Sequence, residues 1–113
     1  MRYIWLDDVR DPPSNEWEHV RTFREAQLAL HGSVIGDDIP ITFSFDHDLG
    51  EFQEDGTEVT GHTLAKHIEA AAAGGRVYNI CNWIVHSANP VGAKNIRSTM
   101  TSFNRIKQAA QLR

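Results

Sequence analysis

The chain has 113 residues, enough to close one hydrophobic core as a single domain over 1–113 and too few for a second. Its 41% apolar and 23% charged residues are ordinary for a folded soluble protein and unlike a disordered or membrane-embedded chain. A formal charge of -4 at pH 7 argues against a protein that coats nucleic acid regardless of sequence, because such binding draws on Lys and Arg displacing counterions.

Tyr3-Ile4-Trp5-Leu6 is a short apolar run ending in Asp7-Asp8, which reads as a buried strand with its carboxyl end at solvent. No basic stretch with an apolar core and cleavage site precedes it, so the expectation is a cytoplasmic protein. Pro12-Pro13-Ser14-Asn15 forces an irregular loop. Thr22 with Glu25 three residues on gives a capping-box signature, and Val20, Phe23 and Leu30 supply an apolar face for a helix ending at Gly32. The stretch 33–38 reads as a loop or vestigial element.

The run 39–45 is apolar, β-branched and aromatic and stops at Asp46-His47-Asp48, which predicts a second strand with an acidic end. Residues 51–58 are polar around Gly56 and read as a mobile loop. Thr60 caps a helix carrying Leu64, Ile68, Ala71 and Ala72 up to Gly74-Gly75. A third strand is expected over 80–85, where Ile84 reads as core and the single cysteine, Cys81, as a buried thiol without a disulfide partner. Asn82 and His86 interrupt this richest apolar segment well short of a membrane span, so no membrane partner is expected. His86-Ser87-Ala88-Asn89-Pro90 leads into a last helix with Ile96, Met100, Phe103 and Ala110 on one side; Lys94, Arg97 and Arg105 opposite them read as a solvated face. Short apolar strands alternating with helices predict a parallel sheet covered on both faces, with ligands gathered at the strands' carboxyl ends.

All the conspicuous polar clusters fall at those ends. Asp7 and Asp8 after one strand and Asp46 and Asp48 after another would repel one another unless a cation intervened. Oxygen ligation by Asp7, Asp8 and Asp46 favours Mg²⁺, with Mn²⁺ as the alternative. His86 ends the third strand and can transfer protons near neutral pH. His47 either ligates a metal or holds its neighbours, and it joins Asp48 and His86 as a catalytic candidate. Ser87, Asn89 and Asn95 offer neutral donors to phosphate oxygens, and Arg10 either neutralises a phosphate or pairs with Asp8. The role of His62, at a helix start, stays open, and His19, His31 and His67 are assigned to structure or surface.

The Asp7-Asp8 pair, Asp46 and Ser87-Ala88 resemble the receiver fold of response regulators, whose acidic pocket holds Mg²⁺ beside a phosphoaccepting aspartate. The stretch between Gly32 and Ile39 is too short for that fold's extra strand and helix, and no late Lys-Pro pair is present. Leu6-Asp7-Asp8-Val9-Arg10, Ser44-Phe45-Asp46-His47-Asp48-Leu49-Gly50, Thr60-Gly61 and His86-Ser87-Ala88-Asn89-Pro90-Val91-Gly92-Ala93-Lys94-Asn95-Ile96 are together similar to the cyclic-phosphate processing receiver-like domain family of bacteria and phages. The resemblance implies an α/β, flavodoxin-like parallel sheet with helices on both faces, reduced by a strand-helix unit. By position it brings Asp7, Asp8, Arg10, Asp46, His47, Asp48, His86, Asn89 and Asn95 into the site.

The expected function is a metal-dependent phosphoesterase acting on cyclic phosphates or phosphate esters of nucleotides or nucleic-acid ends, in the cytoplasm of a bacterium or an infected host cell. The alternatives are a nucleotide-binding or sequestering protein without turnover and, third, a phosphoaccepting receiver.

Overall fold

The structure is a computed structural model that describes residues 1–37 and 39–112; Asp38, at the end of the expected loop 33–38, lies outside them. Four parallel strands form the sheet in the order β2-β1-β3-β6: β1 is Arg2–Leu6, β2 Trp17–Val20, β3 Ile41–Phe45 and β6 Ile80–Val85. The three apolar runs picked out by composition are β1, β3 and β6. β3 is central and every residue of it is buried, which is why its sequence shows no polar alternation.

The strand β2 falls where the sequence suggested loop and the approach to a helix. Its Glu18 is exposed and pairs with Arg2 at 2.7 Å, so four residues of mixed polarity carry little strand signal. Val20 therefore belongs to the sheet and not to the first helix. That helix, α1 (Phe23–Leu30), begins where expected, with Thr22 accepting from the Glu25 N–H at 3.1 Å. The polar stretch read as a mobile loop is largely an antiparallel hairpin, β4 (Asp48–Phe52) with β5 (Glu58–Thr60), turning at Gly56, whose φ is +85°. Helix α2 (Gly61–Ala73) follows at once, capped by Thr60 and Thr63 in a reciprocal box. Helix α3 (Pro90–Gln111) starts with Pro90 in its first turn and Asn89 as cap.

Residue parity shows how the layers stack. Ile4, Leu6, Phe43 and Phe45 are fully buried and join one core with Ala26 and Leu30 of α1, Leu64 and Ile68 of α2, and Ile96, Met100 and Phe103 of α3. Tyr3 and Trp5, on the opposite face of β1, are only half-buried and stand outside that core, as do the exposed Asn82 and Ile84 of β6. The receiver-like parallel sheet flanked by helices is as expected, but the three helices share one face of it. Right-handed crossovers from β2 to β3 and from β3 to β6 run the same way across the sheet and so place α1 and α2 on the same side. The connection that would cover the other side, between β1 and β2, is the proline-containing loop and holds no helix.

Two core expectations change as a result. Ile84 is 44% exposed, since it lies on the uncovered face of an edge strand. Cys81 is also exposed, because a register shift opposite Ile41 and Thr42 makes it the extra residue of a bulge. Among the described residues no helix is long and apolar enough to cross a membrane.

Candidate functional site

In-register parallel pairing sets the site. Leu6 pairs with Phe45 and Phe45 with Val85, so the residues that follow them, Asp7, Asp46 and His86, leave three adjacent strands side by side. A carboxylate oxygen from each aspartate and a ring nitrogen of His86 lie within 4.8 Å of one another. Asp7 and Asp46 are 1% and 6% exposed, so their charges sit close together with little water to screen them.

Asp7 is held by many donors. Its Oδ1 accepts from the N–H groups of Val9 at 2.9 Å and Arg10 at 2.8 Å, and Oδ2 accepts from Arg10 Nε at 3.2 Å. Burial works against its charge, but those backbone donors, His86 and the Arg10 guanidinium together hold its carboxyl below the usual range. Asp46 goes the other way. Burial and the neighbouring charge of Asp7 push its carboxyl up, against the His47 N–H, His86 and Arg10. Both of its bonds, from His47 N at 2.9 Å and Arg10 Nη2 at 3.5 Å, fall on Oδ1. Arg10 thus pairs with Asp7 and Asp46, not with Asp8.

His86 is fixed on three sides. Nδ1 meets Ser44 Oγ at 2.7 Å, Nε2 meets Asp7 Oδ2 at 3.1 Å, and the ring stacks on Trp5 at 3.7 Å and 6°. Burial lowers its pKa, partly offset by Asp7 and Asp46. Ser44 and Trp5 were not singled out from the sequence. The available signal was Ser44 itself, a polar residue inside an otherwise apolar run two positions before Asp46.

Beside this cluster lies a second group. His47 Nδ1 contacts Asp48 Oδ1 at 2.8 Å, and Asn89 Nδ2 approaches His47 Nδ1 at 3.4 Å and Asp48 Oδ1 at 3.4 Å. Asn89 also caps α3 by accepting from Gly92 N at 2.9 Å, so one side chain links the helix start to the site. Two glycines allow the close packing. A Cβ on Gly92 would collide with the His47 ring, and one on Gly61 would collide with the Asp46 carbonyl oxygen.

The remaining candidates lie apart. Asp8 is outside the group of three ligand atoms; its carboxylate faces Gly50, and its carbonyl accepts from Arg21 at 3.2 Å. Ser87 Oγ accepts from Asn89 N at 3.1 Å and so shapes the turn, while Asn95 is exposed on α3. His62 joins α2 to α3 through Thr99 Oγ1 at 3.0 Å, with its pKa lowered by burial, Lys66 and His47. His19, assigned to structure, contacts the Asp7 carbonyl at 2.8 Å.

The three strand-end residues, a guanidinium over both carboxylates and a histidine–aspartate pair under a helix start make a site suited to a cation, a phosphate, or both. No curated protein and no solved structure matches the chain. The family model described as the cyclic-phosphate processing receiver domain matches residues 2–102, most of the chain, and the protein belongs to that family.

Proposed function

We propose that the protein is a cation-dependent phosphoesterase that opens cyclic phosphates of nucleotides or nucleic-acid ends. The observation that carries this reading is the convergence of Asp7, Asp46 and His86 within 4.8 Å. The residues fit a divalent cation: Asp46 is disfavoured as an anion beside Asp7, and a cation would relieve that repulsion. Asp7 and Asp46 would hold it through oxygen and His86 through nitrogen. That mixed donor set suits Mn²⁺ or Zn²⁺ as well as Mg²⁺. When bound, such a cation polarises a phosphoryl oxygen and lowers the pKa of water.

Arg10 then offers its guanidinium to the phosphate, and Asn89 Nδ2 a neutral donor. His47 is the better proton carrier, because Asp48 holds Nδ1 and leaves Nε2 to exchange protons, whereas Ser44 holds His86 Nδ1 and its other nitrogen would go to the cation in place of Asp7. Water oxygen bonds to phosphorus, one of the two ring P–O bonds breaks, the proton lost by water passes to His47, and the departing ribose oxygen takes a proton from a solvent water, with His47 later releasing its own to solvent.

The test is incubation with 2',3'-cyclic nucleotides, cyclic dinucleotides and RNA with cyclic-phosphate ends, with each cation and after chelation. A linear phosphomonoester formed only with cation is the expected product. Recovery of intact ligand from a tight complex would make the protein a binder without turnover. No turnover of any ester where cation demonstrably binds removes the esterase reading.

A further inference from the structure

A second cluster lies between α1 and α2, away from the carboxylates. A cleft of about 280 Å³ is lined by the polar side chains of Arg24, Gln27, His31, His67 and Arg76, with Leu28 and Tyr78 beside them. The α1 residues run toward the helix's carboxyl end, and Arg76 and Tyr78 lie between α2 and the amino end of β6. The cleft shares no residue with the Asp7–Asp46–His86 cluster.

Its chemistry is one-signed. Among the described residues no Asp or Glu lines it, although the chain carries 15 acidic against 11 basic residues. Three arginines elsewhere pair with carboxylates, Arg2 with Glu18, Arg10 with Asp7 and Arg21 with Asp11, whereas Arg24 and Arg76, like the solvent-facing Arg97 and Arg105 of α3, have no carboxylate partner among the described residues. Arg76 instead meets the His31 ring nitrogen at 3.4 Å and lies 5.9 Å over the Tyr78 ring. His67 contacts Gln27 at 3.5 Å and packs edge-on to Phe23. These contacts orient Arg76, His31, His67 and Gln27 without neutralising either guanidinium group. Guanidinium forks match the oxygens of a phosphate two at a time, and the histidines and Gln27 can add single donors. The volume is at the small end of ligand clefts, so it suits a terminal group better than a polymer backbone.

We propose that this cleft binds the phosphate of a phosphate monoester, held between Arg24 and Arg76, as a site separate from the carboxylate cluster. The proposal does not rest on esterase activity. It is tested by NMR titration of the full chain, with a chelator present, against inorganic phosphate, nucleoside 2'- and 3'-monophosphates and the parent nucleosides. Saturable shifts are expected at His31, His67 and Tyr78 with phosphate and the monophosphates, and none with the nucleosides. The Arg24→Ala/Arg76→Ala variant should bind about tenfold or more weakly, the loss of at least one charge-assisted contact, while Asp46→Asn binds like the parent. Equal binding of inorganic phosphate supports a site reading the phosphate alone, and tighter binding of monophosphates one that also holds the attached sugar. Shifts confined to other residues in the parent protein, absence of saturation, or unchanged affinity in the double variant would overturn the proposal; the first two need no variant to fold.

Discussion

Asp46 and His47 are chain neighbours with opposite expected roles, and substitution separates them. Asp46→Asn keeps the acceptor for His47 N but removes a buried charge that burial and Asp7 disfavour. Cation affinity should fall on the order of tenfold to a hundredfold, a loss seen even for supporting groups around a metal, while the chelated protein melts at or above the parent at neutral pH. A titration like the parent's, or a much lower melting point, would make Asp46 a structural cap. His47→Ala should leave the titration unchanged and slow turnover by roughly a hundredfold, the usual scale of general acid-base groups. His86, read from the sequence as the proton carrier, stands among the ligand atoms, so His86→Ala should weaken cation binding instead.

His62 gives the pH dependence. Its folded pKa lies below the ordinary value through burial, Lys66 and His47, so the fold favours the neutral ring. Above about pH 6.5 both states are neutral and the contribution is complete. As pH falls below that, the unfolded chain takes the proton first and stability declines until the folded pKa is passed. Chemical denaturation at pH 7 and pH 5 should therefore show a smaller loss for His62→Gln than for the parent. His86 shifts in the same direction but is present in both proteins and cancels in the difference. An equal loss in the two would remove His62 as a contributor.

The start of α2 is the element through which the site depends on the fold. Gly61 N donates to the His47 carbonyl at 2.8 Å, and a Cβ at Gly61 would strike the Asp46 carbonyl, which is backbone and cannot swing aside. Gly61→Ala should cost about 3 kcal/mol or more as an overpacked contact and move Asp46, lowering cation affinity in whatever remains folded. A denaturation midpoint like the parent's would mean that α2 can shift without cost. The elements were legible where composition is one-sided: β1, β3 and β6 through apolar runs, α1 and α2 through Thr22 and Thr60. Short elements of mixed polarity were not. β2 interleaves Glu18 and His19 with apolar residues, and β4–β5 reads as loop because Asp48, Glu51 and Glu58 stand beside its few apolar positions. At the site, the strand ends marked Asp7, Asp46 and His86 correctly as neighbours. That Asp8 stands outside the Asp7–Asp46–His86 group follows from pairing register, which puts one residue after each strand into the shared position, and register is not written in any single segment.

At the scale of the whole molecule the sheet has one helix-covered face and one bearing Tyr3, Trp5, Trp17 and Ile84. Apolar runs in β1, β3 and β6 suggested burial on both sides, but only β3 has it; Tyr3 and Trp5 of β1 are half-buried, and β6 is an edge strand whose residues from Asn82 to Val85 alternate in exposure. The Trp5 ring, which donates to the Arg10 carbonyl at 3.0 Å and stacks on His86, ties the open face to the site. The two faces should respond differently to truncation. Phe43 is fully buried against Phe45 and the helices, so Phe43→Ala should cost about 3–5 kcal/mol through lost burial and a cavity. Ile84, on the opposite face and 44% exposed, loses far less contact with solvent-excluded atoms; Ile84→Ala should cost under about 1 kcal/mol, contrary to the core role its sequence context suggests. Urea denaturation of both variants measures the contrast. A cost for Ile84→Ala near that of Phe43→Ala would mean that this face is covered in solution, by a second copy of the chain if the loss depends on protein concentration and by the chain itself if it does not.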